Sequence, residues 1–239
     1  EAARGKEAAF ARLKEGRDRF RQVLDGQKNG SPTLELPPAP AEVRSQLDQL
    51  ESRWAPMEAD IDAILAGRGP IMAASNFVPL LESALTQIVT ISDEVAKSLA
   101  NNRIDPRQVY QVTNQLVLGQ RIESDLKRML SEGGAGTAAA ADRFGRNVNL
   151  FGRILRGMRD GDAKLGIDRV TLPDNGSKVV DLAERFKSLE IEATRIADSA
   201  PELVKVQNAA QGVAEKGDAL LEASTKLLDA YYQSSRQFS

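Results

Sequence analysis

The chain has 239 residues, 41% of them hydrophobic and 28% charged, with a net charge of −2 and neither cysteine nor histidine. The near-neutral balance argues against nucleic acid as the main partner, because phosphate binding rests on a basic excess. Without cysteine there is no disulfide framework or thiolate metal site; without histidine the usual general base and commonest neutral metal ligand are gone.

The apolar residues follow a 3,4 alternation almost from end to end, the period of helices packed near-parallel. A first helix carries Phe10, Leu13, Phe20 and Leu24 on one stripe, and Gly26 and Gly30 end it. Ser31 to Pro40 is a proline-rich connection. The second helix runs Val43, Leu47, Leu50, Trp54, Met57, Ile61, Ile64 and stops at Gly67 and Gly69. Pro70 suits the first turn of the third helix, whose stripe is Val78, Leu81, Leu85, Ile88, Ser92, Val95, Leu99. Pro56 and Pro79 lie inside these patterns and predict local kinks. Asn101-Asn102 closes the third helix, and Asp105-Pro106 reads as a cap followed by a proline at the first helical position.

The fourth helix continues Val109, Val112, Leu116 into Gly119, Glu123, Leu126 and Leu130. Glycine and glutamate thus fall where a bundle wants apolar bulk. Either this polar break forms a ligand pocket from Gln120, Arg121, Glu123 and Ser124, or the phase drifts so that Ile122 faces in and Glu123 out. Gly133 to Thr137 is a turn. The fifth helix has the stripe Phe144, Val148, Phe151, Leu155, Met158, flanked by Arg143, Arg146, Arg153 and Arg156. Spacings of 3, 7 and 3 set these arginines along one face, as an anion- or partner-binding surface or as flanking ion pairs. Gly161 to Gly176 reads as a loop. A sixth helix follows with Val179, Leu182, Phe186, Leu189, Ala193, Ile196. The last starts at Ser199-Ala200-Pro201 and keeps its heptads to Tyr231.

The chain also repeats itself. Phe20-Arg21-Gln22-Val23-Leu24-Asp25-Gly26 matches Phe151-Gly152-Arg153-Ile154-Leu155-Arg156-Gly157 at an offset of 131, and Arg53-Trp54 matches Arg185-Phe186 at 132. The expected fold is therefore all-α: elongated tandem helical bundles, two stacked four-helix-bundle-like modules sharing long helices, over residues 1–104 and 105–239. The first copy lacks the counterpart of the fourth helix, so the segment is expected to come from a longer protein. No Walker loop, no strand for a dinucleotide fingerprint and no Glu-x-x-His pair are present; no metal, no cofactor and no enzymatic activity are expected. No run of about 18 apolar residues spans a membrane, and the first residues lack the apolar core of a signal peptide.

The blocks Asp142-Arg143-Phe144-Gly145-Arg146 and Asn149-Leu150-Phe151-Gly152-Arg153-Ile154-Leu155-Arg156-Gly157-Met158 closely resemble the PilJ family of type IV pilus chemotaxis-type receptors. So do Ala197-Asp198-Ser199-Ala200-Pro201-Glu202-Leu203 and Leu36-Pro37-Pro38-Ala39-Pro40. The resemblance implies the periplasmic sensor region of a bacterial inner-membrane receptor that controls twitching motility and senses surface contact. It implies a homodimer that recognises type IV pilin and signals through a cytoplasmic adaptor and histidine kinase. Related modules in nitrate sensors carry a Q/L-R-M-x-S-x-R-like sensing helix with two anion-binding arginines. Gln120, Arg121 and Ser124 match that pattern, whereas Leu126 stands in place of the second arginine.

Overall fold

The computed structural model describes residues 1–101, 106–171 and 173–237. Among them the regular structure is helical: α1 (Glu7–Asn29), α2 (Arg44–Ala66), α3 (Arg68–Asn101), α4 (Pro106–Ser131), α5 (Ala135–Asp160), α6 (Pro173–Asp198) and α7 (Ala200–Gln237). The all-α expectation holds, and α2 and α3 run through Pro56 and Pro79. Gly30, at φ 81°, ends α1, and α7 starts beside Ser199, whose carbonyl accepts from the Glu202 and Leu203 amides. Asn102 and the Asp105 cap lie outside the described residues.

The chain forms two compact units, Glu1–Gly69 with Lys205–Ser239, and Pro70–Val204. A division by repeat and a division by compactness differ here: α3, last in the first copy, falls mostly in the second unit, and α7 mostly in the first. In the first unit the core is Leu24, Ala39, Val43, Leu47, Leu50, Trp54, Met57, Ile61 and Leu227, with Phe20, Val213, Leu220 and Tyr231 partly buried against it. The α2 stripe read from the sequence lies entirely within this core or next to it. Arg17–Asp62, Arg21–Glu58 and Lys28–Glu51 ion pairs flank the α1–α2 seam.

In the second unit the same spacing buries Leu81, Leu85, Ile88 and Val95 of α3, Phe144, Val148, Phe151, Leu155 and Met158 of α5, and Val179, Leu182, Phe186, Ala193 and Ile196 of α6. Two readings are corrected. The supposed loop through Gly176 ends earlier, because α6 begins at Pro173. The α4 stripe holds only in part: Gly119 and Leu126 are buried as read, but Gln108, Gln115, Leu118, Ile122, Asp125 and Met129 are buried as well, with Glu123 only half-buried. Polar residues hold inward positions there because α4 packs on exposed carbonyls and on a guanidinium, as described below.

The matching helices of the two copies, α1 and α5, are each followed by the same hairpin. The Ser31 amide donates to Leu36 O (2.8 Å) and the Leu36 amide to Ser31 O (3.0 Å); Asp162 and Ile167 repeat both bonds at 2.8 and 3.0 Å. The Ala39 amide donates back to Gln27 O at 2.9 Å, as Val170 does to Met158 O at 2.8 Å. The left-handed positions recur too, Gly30 with Glu35 (φ 53°) and Gly161 with Gly166 (φ 65°). Every pair differs by 131 in number, so the repeat seen in the sequence is also a repeat of backbone hydrogen bonds. The glycine ending the F-x-x-[VI]-L-x-G pattern has a steric reason. A Cβ on Gly26 would lie 3.0 Å from Ser31 Cβ, and one on Gly157 would lie 3.1 Å from Asp162 Cβ. Glycine lets the hairpin fold flat onto the helix; a methyl there would push it away by a few tenths of an ångström.

Candidate functional site

The side chains singled out on α4 divide between two faces. Ile122 and Leu126 are fully buried, while Gln120, Arg121 and Ser124 face solvent on the opposite side. Of the two phases weighed for this segment, Ile122 takes the inward position. Glu123 accepts from Lys127 (2.5 Å), which also reaches Glu82 on α3 at 2.8 Å. The two carboxylates hold the Lys127 ammonium well above its ordinary range, Glu123 contributing most. Among the described residues Arg121 has no hydrogen bond or ion pair. The helix therefore presents an amide, an unpaired guanidinium and a hydroxyl in one turn, together with Val117 one turn earlier and Tyr110 two further turns back, both exposed. This open stripe can bind an anion only weakly by itself, since a solvated guanidinium gains little from one more hydrogen bond. A second surface laid over it would desolvate Arg121 and strengthen that contact.

Gly119 sits beside this stripe. A Cβ there would lie 2.9 Å from Leu85 Cδ2, so the glycine lets α4 approach α3 closely.

The four arginines of α5 are each engaged. Arg143 Nε donates to Asp125 at 2.9 Å, and Asn147 Nδ2 reaches the other oxygen of the same carboxylate at 3.2 Å. Arg146 pairs with Asp142 one turn back. Arg153 holds Asp162 through two nitrogens, at 2.9 and 3.3 Å. Arg156 pairs with Glu190 of α6 at 2.7 Å, across Gly152, where any side chain would strike the Glu190 carboxylate. The arrangement is that of flanking ion pairs that tie α5 to α4, to the hairpin and to α6. Arg146 is the most exposed of the four. Arg153 holds the Asp162 carboxyl below the usual carboxylate range, helped by the amides of Leu165 and Lys164.

One set of residues on α4 escaped the sequence reading. Gln108 Nε2 donates to Asp168 O (2.6 Å), Gln111 Nε2 to Leu165 O (3.5 Å), and Gln115 Nε2 to Phe151 O (3.3 Å). The three amides form a ladder that clamps the second hairpin to the C-terminal half of α5. Their 3,4 spacing was visible, but amides at inward positions look like a solvated face.

Residues 1–76 match the family model described as type IV pili methyl-accepting chemotaxis transducer N-term. That segment belongs to the PilJ family. Over 97% of its length the chain is also 30% identical to the protein PilJ of Pseudomonas aeruginosa, covering 34% of that protein. It is 32% identical, over 95% of its length, to a protein of Alcanivorax borkumensis described as methyl-accepting chemotaxis AlkN, covering 32% of it. The chain thus spans about a third of the length of the curated relatives it matches. Among the described residues no single helix is long and apolar enough to cross a membrane.

Proposed function

We propose that the chain is the sensor region of a transmembrane chemoreceptor that controls type IV pilus twitching motility and surface sensing. In this reading it lies in the periplasm of a bacterial inner-membrane protein, works as a homodimer and recognises pilin. Its output passes to a cytoplasmic adaptor and histidine kinase through parts of the receptor outside these residues. The observation that carries this is the similarity to PilJ along 97% of the chain, joined to the family match over residues 1–76. The repeat copies, 1–104 and 105–239, are its two sensor modules.

The route of the signal follows from α7. This helix has residues in both compact units, and from Ala210 to Ser224 its inward stripe is only half-buried. A helix held by so little apolar contact can move along its axis or rotate between two packings at small cost. A ligand that binds one packing better selects it. A calorimetric titration of the chain with the soluble pilin ectodomain of the same organism tests the reading. Saturable heat is expected, and Arg146→Glu, which leaves the buried ion pairs intact, should weaken it several-fold. No heat up to high micromolar, with no self-association, overturns protein recognition by the isolated chain.

A second reading rests on the unpaired Arg121. A small anion would bind Gln120, Arg121 and Ser124, completed by the same stripe of a second subunit. Nitrate and other small anions should then raise the melting temperature of the dimer, and Arg121→Ala should abolish the rise. An unchanged rise in the variant removes this site.

A further inference from the structure

The two copies of the repeat are not equally covered. In the second, α4 lies over α5 and touches α3 as well, and Phe151, Ile154 and Met158 beneath it are between 0% and 3% exposed. The matching residues of α1 are Phe20, Val23 and Gln27. Phe20 and Gln27 are half-buried, and Val23 is 37% exposed. These three line an apolar groove of about 330 Å³ whose other wall is Ser224, Leu227, Leu228 and Tyr231 of α7. Leu228 on its rim is 53% exposed. Such a contiguous exposed apolar surface marks a place where something else packs.

The repeat also says what packs there. Where α4 donates amides to Phe151, Leu165 and Asp168, the counterpart carbonyls in the first copy are those of Phe20, Leu34 and Pro37. The hairpin that carries the last two has the same hydrogen bonds as its partner, so these carbonyls stand in the same places on it. Among the described residues no group donates to the Leu34 or Pro37 carbonyl. We infer that this groove receives an amphipathic α-helix of the same polypeptide from outside these 239 residues. It runs antiparallel to α1 and carries side-chain amides at the spacing of Gln108, Gln111 and Gln115. The direction follows from α4, whose early residue Gln108 meets the hairpin and whose late residue Asp125 meets the start of α5 at Arg143. The occupant belongs to the same polypeptide because the curated relatives are about three times as long as this segment, and tethering raises the local concentration of such a helix. The inference does not depend on what the receptor senses.

These 239 residues hold no cysteine, so each variant places a single thiol in this segment, and any cysteine elsewhere in the receptor is first replaced by serine. Single variants Val23→Cys, Leu228→Cys and Lys14→Cys, the last on the opposite side of α1, are labelled with a fluorescent maleimide. In the 239-residue chain all three should react at similar rates. In the full-length receptor, purified in detergent, the first two should slow at least tenfold while Lys14→Cys is unchanged. Equal rates in both proteins would overturn the inference. So would protection that grows with the concentration of the 239-residue chain, which would assign the groove to a second copy. A photo-crosslinker at Val23 in the full-length receptor then identifies the occupant. A crosslinked peptide from the same polypeptide, with Gln or Asn at 3,4 spacing, is the expected product; a peptide without those amides or from another protein overturns it.

Discussion

Helices α1 and α5 are two copies of one element with different fates. The buried residues of α5 include Phe144, Val148, Phe151, Ile154, Leu155 and Met158, whereas on α1 they are Ala9, Phe10, Leu24 and Gly26. The shared pattern, hairpin and glycine fix the backbone of both. What differs is the neighbour: α5 is covered by a helix whose glutamines meet its hairpin, and α1 has solvent on the same face. A common local design therefore sets the helix and its stop, while the number of packed neighbours sets how much apolar surface is removed from water.

The strongest test of that difference is truncation of the shared phenylalanine. Phe151→Ala removes a fully buried ring and should cost about 3–5 kcal/mol. Phe20→Ala removes a half-buried ring from a groove open to water, where less cavity is left, and should cost roughly half as much. Chemical denaturation of both variants in the 239-residue chain decides it. Equal losses would mean that the α1 face is covered in solution, and the contrast between the copies would fail.

Next comes the glycine under each hairpin. Alanine normally stabilises a helix interior over glycine by about 0.5–1 kcal/mol, and Gly16→Ala, with nothing within 4 Å of the new methyl, should show that gain. At Gly26 and Gly157 the methyl meets the hairpin instead, so alanine should destabilise by about 1–3 kcal/mol. Thermal melts of the three variants give the signs. A gain at Gly157 would mean that the hairpin can lift off the helix without loss.

Acid should separate the two hairpins. Asp162 in the second is replaced by Ser31 in the first, and only the carboxylate titrates. Its folded pKa is lowered, chiefly by Arg153, so its contribution is fully present above the ordinary aspartate value of about 4 and fades as pH falls through the lower folded value. The amide resonance of Val170 should therefore shift below about pH 4, while that of Ala39 stays in place. Asp162→Asn should flatten the pH response. Parallel shifts in both hairpins would show a global acid transition rather than this local one.

Much of this contrast was readable before the structure, and the unread part has one cause. Stripes such as Leu47–Ile64 and Val179–Ile196 were legible because their inward residues are apolar and helix spacing alone places them. The repeat was legible because its glycine has a steric duty. The phase of α4 was not, since its inward residues are glutamines and an aspartate whose partners are hairpin carbonyls and Arg143. The arginine face of α5 was ambiguous for the same reason: its acids, Asp125, Asp162 and Glu190, lie elsewhere in the chain. Period reveals a helix, but a polar residue's side is set by a partner that period does not contain.

The smallest expected effect concerns the aromatic pair under each copy. Phe20 stacks on Trp54 with ring centroids 4.1 Å apart, and Phe151 packs on Phe186 at 4.6 Å. Trp54 is buried, and its indole N–H has no acceptor among the described residues; Phe186 needs none. Leaving a buried donor unpaired costs about 1–3 kcal/mol. Trp54→Phe removes that cost but also gives up part of a large ring's packing, of similar size. The two should nearly cancel, leaving a change within about 1 kcal/mol of zero in the 239-residue chain. Denaturation of the variant is informative on either side. A loss well beyond that range would show that the indole N–H does find an acceptor, through a bound water or a local rearrangement. A near-zero change here with a clear loss in the full-length receptor would place the acceptor on an element outside these residues, tying the one unpaired donor of the first copy's aromatic pair to its uncovered face.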